Sequence, residues 1–163
     1  IPVPFVIIHP GGKETALRWS PERFKELIHL LTEQGMRVVI TGNKEEEILC
    51  KRVEIDSENV HNLCGKTSLD SLAGLVSLSS LVISNSTGII HLADGLGIPV
   101  VAIFPPVKAM SPNRWGPYNQ LENVILPDVP SCKKCVGDKC PHYYCMDSVT
   151  AKEILEKVDE LLV

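Results

Sequence analysis

Nothing in this 163-residue chain reads as a membrane span: no apolar run approaches the roughly 20 residues a bilayer requires. No charged start followed by a cleavable apolar segment is present either, so a soluble, cytoplasmic setting is the default expectation. Positive charge is also scarce. Sixteen Lys and Arg against twenty Asp and Glu give a net charge of -4, without the basic footprint that nucleic acid or an anionic membrane demands. The nicotinamide fingerprint G-x-G-x-x-G does not follow the first apolar strand, and G-x-x-x-x-G-K-[ST] occurs nowhere, which excludes the common dinucleotide and P-loop sites. Six cysteines are few for a disulfide scaffold of this length. A starting Met is missing as well; the chain runs Ile-Pro-Val-Pro almost directly into an apolar strand, as a piece of a longer polypeptide would.

What is present is alternation. Short Val- and Ile-rich runs at 5–8, 37–41, 59–63, 81–84, 100–104 and 123–126 predict strands, with amphipathic segments between the first five. Phe24, Leu27, Ile28 and Leu31 share one helical face; Leu69, Leu72, Ala73 and Val76 share another, and Ile90, Ala93 and Leu96 a third. Ser20-Pro21 and Thr67-Ser68 mark helix starts, while Gly35 and Gly97-Ile98-Pro99 mark stops. A last helix is expected at about 150–162. The expected fold is therefore α/β, a Rossmann-like three-layer domain over 1–163 with a mainly parallel sheet. A cysteine-rich loop, 127–147, precedes the last helix.

Ligands of such sheets lie beyond the carboxyl ends of the strands. There the sequence places Asn85-Ser86-Thr87-Gly88, four small or polar residues between a strand and a helix. A helix start exposes unpaired amides and about half a positive charge, which suits a phosphate where no large side chain intervenes. Gly88 keeps the approach open, and Ser86 and Thr87 add hydroxyls; the plainer alternative is that Ser86 or Thr87 only caps the helix. His9-Pro10-Gly11-Gly12-Lys13 and Arg18 follow the first strand, offering an adaptable turn and two cations. Gly42-Asn43-Lys44-Glu45-Glu46-Glu47 follows the second; its acids either complement a helix dipole or meet a ribose. Trp19 and Trp115 read as loop packing, with stacking on a base or sugar as the alternative; His29 and His61 read as incidental.

The ordered segments HPGG-x5-RW-SPERF, VVITGNKEE, NLCGKTSL, SNSTGIIHLADGLGIPVVAIF and RWGP resemble the C-terminal, donor-binding half of the ADP-heptose:lipopolysaccharide heptosyltransferases, glycosyltransferase family nine. The resemblance implies one half of a GT-B enzyme that transfers heptose from ADP-heptose to the lipopolysaccharide inner core with inversion. It places the diphosphate at Ser86, Thr87 and Gly88, with His91 one turn on, and Gly11, Gly12 and Arg18 along the phosphates. Glu46 or a neighbouring acid would lie near the ribose, and Lys66-Thr67 beside the adenine. Ser86 departs from the Asp many relatives carry there. The catalytic base and the lipopolysaccharide acceptor site would belong to an N-terminal domain, so this part alone is expected to bind donor without transferring sugar. No cofactor is implied for transfer, and peripheral membrane association of the longer protein stays open. A stand-alone nucleotide-binding module is the alternative, and an interaction domain organised by the cysteine loop a third option.

That loop carries Cys132-x2-Cys135-x4-Cys140-x4-Cys145 with three lysines interleaved. Two close pairs fit a tetrahedral structural zinc; disulfides and free thiols are the other readings. Cys50 and Cys64 read as small buried residues of a helix and a strand.

Overall fold

The computed structural model describes residues 4–12 and 17–162. Lys13, one of the two cations expected near the first strand, lies outside the described residues. Six parallel strands form one sheet in the order β3-β2-β1-β4-β5-β6. They are β1 (Val6–His9), β2 (Val38–Ile40), β3 (Val60–Asn62), β4 (Leu81–Asn85), β5 (Val100–Ile103) and β6 (Val124–Ile125). The helices are α1 (Pro21–Glu33), α2 (Glu47–Val53), α3 (Leu69–Leu78), α4 (Gly88–Gly95), α5 (Pro112–Trp115) and α6 (Ala151–Leu161).

Alternation along the strands sends successive side chains into two cores. Val6, Ile8, Val38, Ile40, Leu81 and Ile83 pack with Phe24, Leu27, Ile28 and Leu31 of α1, Val53 of α2, and Ile154 and Val158 of α6. Phe5, Ile7, Val39, Val82 and Val100 pack on the other face with Val76 of α3 and Ile89, Ile90 and Ala93 of α4. A strand buried on both faces is apolar along most of its length, which is why β2 and β5 and the first residues of β1 and β4 read as Val-, Ile- and Leu-rich runs, with His9, Ser84 and Asn85 only at the carboxyl ends. The three-layer α/β expectation is met.

Local signals also hold. Ser20 caps α1, its hydroxyl accepting from the Arg23 amide, with Pro21 in the first turn. Ser68 caps α3, and Thr150 caps α6 in a reciprocal box with Glu153. Gly35 and Gly97 have φ of 79° and 72°, the left-handed conformation expected of helix-ending glycine. Three details differ from expectation. Cys64 sits in the turn after β3 instead of inside a strand. Leu96 is the C-cap of α4 and 45% exposed, so it does not extend the buried face. Of the four residues expected on one face of α3, only Val76 is buried and Leu69 is 75% exposed, because its side of the helix borders a cavity instead of the sheet.

Because β1 is flanked by β2 on one side and β4 on the other, chain direction across the sheet reverses between β1 and β4. Loops leaving these two strands diverge to opposite faces, and a crevice opens between them.

Candidate nucleotide site

At this crevice the end of β1 is locked to β4 and to the turn after β2. The Ser84 hydroxyl donates to the His9 carbonyl at 2.9 Å. Asn85, 2% exposed, accepts from the Trp19 amide at 2.9 Å and donates to the Pro10 carbonyl at 2.9 Å. His9 pairs through Nδ1 with the Thr41 hydroxyl at 3.0 Å, and burial holds its imidazole below the usual histidine range, Glu46 opposing part of that shift. These contacts bring His9-Pro10-Gly11-Gly12 into a fixed turn over the sheet edge.

Glu46 completes that turn. Its Oε1 accepts from the Gly12 amide at 2.8 Å and its Oε2 from the Asn43 amide at 2.9 Å, closing a capping box at the 3-10 turn Lys44–Glu46 that leads into α2. A Cβ on Gly11 would fall on this carboxylate, so glycine is needed there for close approach. Glu46 does border the cavity, as expected for a residue near a ribose, yet both of its oxygens already bind backbone.

The start of α4 is arranged differently from those of α1, α3 and α6, which a side-chain oxygen caps. Thr87 occupies the N-cap but makes no side-chain cap bond; its hydroxyl pairs with Ser84 at 3.1 Å instead. The plainer alternative, that a Ser86 or Thr87 hydroxyl caps the helix, is not met, although Thr87 holds the N-cap position. A Cβ added at Gly88 would meet nothing within 4 Å. No side-chain oxygen therefore caps the first turn, where the Ile90 amide donates to the Thr87 carbonyl at 3.3 Å, and the positive end of the helix remains available to an anion.

Gly12, Arg18, Glu46, Thr67, Ser86, Thr87, Gly88 and His91 all line one open cavity of about 1280 Å³. Arg18 donates from one guanidinium nitrogen to the Gly12 carbonyl at 3.2 Å, which orients the side chain along the glycine turn. Gly11 lies beneath the lining, against Glu46. Lys66 is the exception. Its Nζ donates to the Asn62 carbonyl at 2.8 Å and it borders a separate cavity of about 570 Å³ with Glu47, Glu54 and His61. The pull of a carbonyl at the end of β3 takes the Lys66 ammonium away from the expected base position, leaving Thr67, Ser68 and the apolar Leu69 and Leu72 on that side.

Met110 and Trp115, after β5, form the opposite wall. Trp19 is 1% exposed, stacks edge-on with Phe24 and donates Nε1 to the Val149 carbonyl, so it is packing. Trp115 is 49% exposed and borders the cavity. Met110 carried no signal in the sequence, and His9 and Asn85 only their places in the strand-end segments at 9–13 and 85–88, without the contacts they make.

In the cysteine loop, no group of three or more His, Cys, Asp or Glu among the described residues is disposed to hold a metal ion. All six cysteines are free thiols. Cys132 and Cys140 are half-buried, Cys135 is exposed and Cys145 is buried, and burial pushes the Cys145 thiol up.

The model of Glycosyltransferase family 9 (heptosyltransferase) matches residues 1–144. Lipooligosaccharide heptosyltransferase 2 of Campylobacter jejuni is 27% identical over 161 residues, 94% of this chain and 50% of the relative. The solved structure of Escherichia coli ADP-heptose lps heptosyltransferase II superposes with a TM-score of 0.78 at 24% identity, covering 98% of this chain and 46% of that one. The E. coli heptosyltransferase WaaC with ADP gives 0.74 at 23% identity, covering 96% and 44%. This chain thus spans about half the length of the curated relatives it matches. By the family model, which covers most of its length, the chain belongs to glycosyltransferase family 9, the heptosyltransferases.

Proposed function

We propose that this chain is the donor half of an inverting glycosyltransferase that moves heptose from ADP-heptose to the lipopolysaccharide inner core. The observation that carries the reading is the uncapped start of α4, open at Gly88 and flanked by Gly12 and Arg18 in one cavity. Negative charge builds on the departing diphosphate during transfer. Fixed amides and a helix dipole stabilise that charge without reorganising, and a guanidinium adds a planar pair of donors. Solved relatives carry ADP and ADP-2-deoxy-2-fluoro heptose, which supports the same ligand class here.

The relatives are about twice as long, and the family resemblance assigns the base that deprotonates the acceptor hydroxyl to an N-terminal domain. Transfer therefore belongs to the longer protein, together with the lipopolysaccharide acceptor and a cytoplasmic location. None of the helices is long and apolar enough to cross a membrane among the described residues. Calorimetric titration with ADP, UDP and GDP tests the reading: ADP should bind most tightly, and equal or absent binding of all three contradicts it. The 163 residues should transfer no heptose to a lipid A-Kdo acceptor; measurable transfer contradicts the division of labour.

A further inference from the structure

Asp94 is an unexplained carboxylate. It is 6% exposed on the face of α4 that joins the apolar core, and it lies in the last turn, where the negative end of the helix dipole disfavours an acid. Burying a charge there is costly unless donors surround it. They do: the backbone amides of Tyr118 and Asn119 reach Oδ2 at 2.8 and 3.1 Å, the Asn119 side-chain amide reaches it at 3.4 Å, and the Gln120 side-chain amide reaches Oδ1 at 3.2 Å. Gln120 extends the tie by donating to the Ile98 carbonyl and accepting from the Val100 amide at the start of β5.

The tethered segment is the one that follows Trp115. Neither the 3-10 turn Lys108–Met110 nor α5 has a buried residue, so these turns are not held by packing of their own. The turn is compact: the Trp115 indole donates to the Ala109 carbonyl at 3.1 Å, and a Cβ on Gly116 would come within 2.5 Å of the Pro112 carbonyl oxygen. One helix consequently carries both ends of a caliper, the open amides at Gly88 and the anchor of the Trp115 wall at Asp94.

Strand order says which part of a ligand this wall meets. Thr67, Leu69 and Leu72 line the cavity at the β3 side, Gly88 at β4, and Met110 and Trp115 beyond β5. A nucleotide with its base at Leu69 and Leu72 and its diphosphate over α4 directs the group on its second phosphate toward Trp115. We propose that Asp94 is a positioning residue for that group: by fixing residues 118–120 it holds Trp115 as the wall enclosing the sugar of the nucleotide sugar, while the nucleoside diphosphate itself does not depend on it. This rests on the donor-site reading above.

The test compares ADP with ADP-heptose on the 163-residue chain, by calorimetry, for wild type, Trp115→Ala, Asp94→Asn and the double variant. Wild type should bind ADP-heptose more tightly than ADP. Each single variant should weaken ADP-heptose about three- to tenfold, the range of one aromatic contact, with ADP affinity unchanged. The double variant should be no worse than Trp115→Ala alone, because the two substitutions remove one interaction. Equal losses for both ligands, additive losses, or a wild type that gains nothing from the sugar would overturn the proposal. If Asp94→Asn does not fold, Gln120→Ala takes its place, because it removes the side-chain donor to Asp94 Oδ1: it should weaken ADP-heptose and spare ADP, and unchanged ADP-heptose affinity would overturn the role of Asp94. A wild type that binds no ADP would instead overturn the donor-site reading, and this proposal with it.

Discussion

The side chain of Asn85 at the end of β4 holds the backbone of Trp19, accepting from its amide at 2.9 Å while donating to the Pro10 carbonyl on the other side. One buried amide thereby sets the path of the chain on both sides of the glycine turn. Asn85→Ala should leave two buried backbone groups unpaired and cost about 2–4 kcal/mol. Urea unfolding measures this; a loss under about 0.5 kcal/mol would mean water replaces the side chain and that Asn85 does not organise the turn.

Gly11 and Glu46 should be coupled. Gly11→Ala drives a methyl into the Glu46 carboxylate and forces it from the Gly12 and Asn43 amides, at about 1–3 kcal/mol for the lost cap and hydrogen bonds. In a Glu46→Ala background the same substitution should cost little. A double-mutant cycle that is additive would separate the two residues.

Acid should weaken the fold through His9. Its folded value lies below the unfolded value of about 6.5, so the unfolded chain takes the proton first and stability falls as pH drops from about 6.5 toward the folded value. Above that window both states are neutral and His9 contributes no slope. Thermal melts between pH 7.5 and 5.5 should show a decline that His9→Gln flattens. If the two profiles are parallel, some other group is responsible.

Thiol labelling should divide the cysteines by burial. Cys135 is exposed and should react first, with Cys132 and Cys140 following. Burial raises Cys50, Cys64 and Cys145, with thiol contact between Cys50 and Cys64 adding to the shift at Cys50, so these three should react more than about tenfold slower until the protein is unfolded. Mass spectrometry of quenched samples reads this directly. Protection of Cys132, Cys135 and Cys140 that a chelator relieves would point to bound metal and contradict the free-thiol arrangement.

Much of this architecture was legible because it is local. Strand runs, the Ser20-Pro21 and Ser68 caps and the glycines at 35 and 97 declare themselves within a few residues. The small-residue gap at 85–88 also pointed to the cavity that Ser86, Thr87 and Gly88 line. Residue partners distant in sequence were not legible. Asp94 reaches 24 to 26 residues along the chain and Asn85 reaches 66 and 75, and no periodicity encodes such pairs. Lys66 differs for a related reason: the resemblance set Lys66-Thr67 beside the adenine, whereas the Asn62 carbonyl four residues back captures the ammonium. Leu69 reads as core by spacing, but α3 turns it toward the cavity rim.

The central claim is that the open first turn of α4 binds the donor diphosphate, and Gly88→Val tests it most directly. Space beside Gly88 is empty, so the variant should fold with a melting temperature near that of wild type. In calorimetric titration with ADP it should lose at least about tenfold in affinity, because the new side chain fills the anion's approach to the amides. A folded Gly88→Val chain that binds ADP as tightly as wild type would contradict the account.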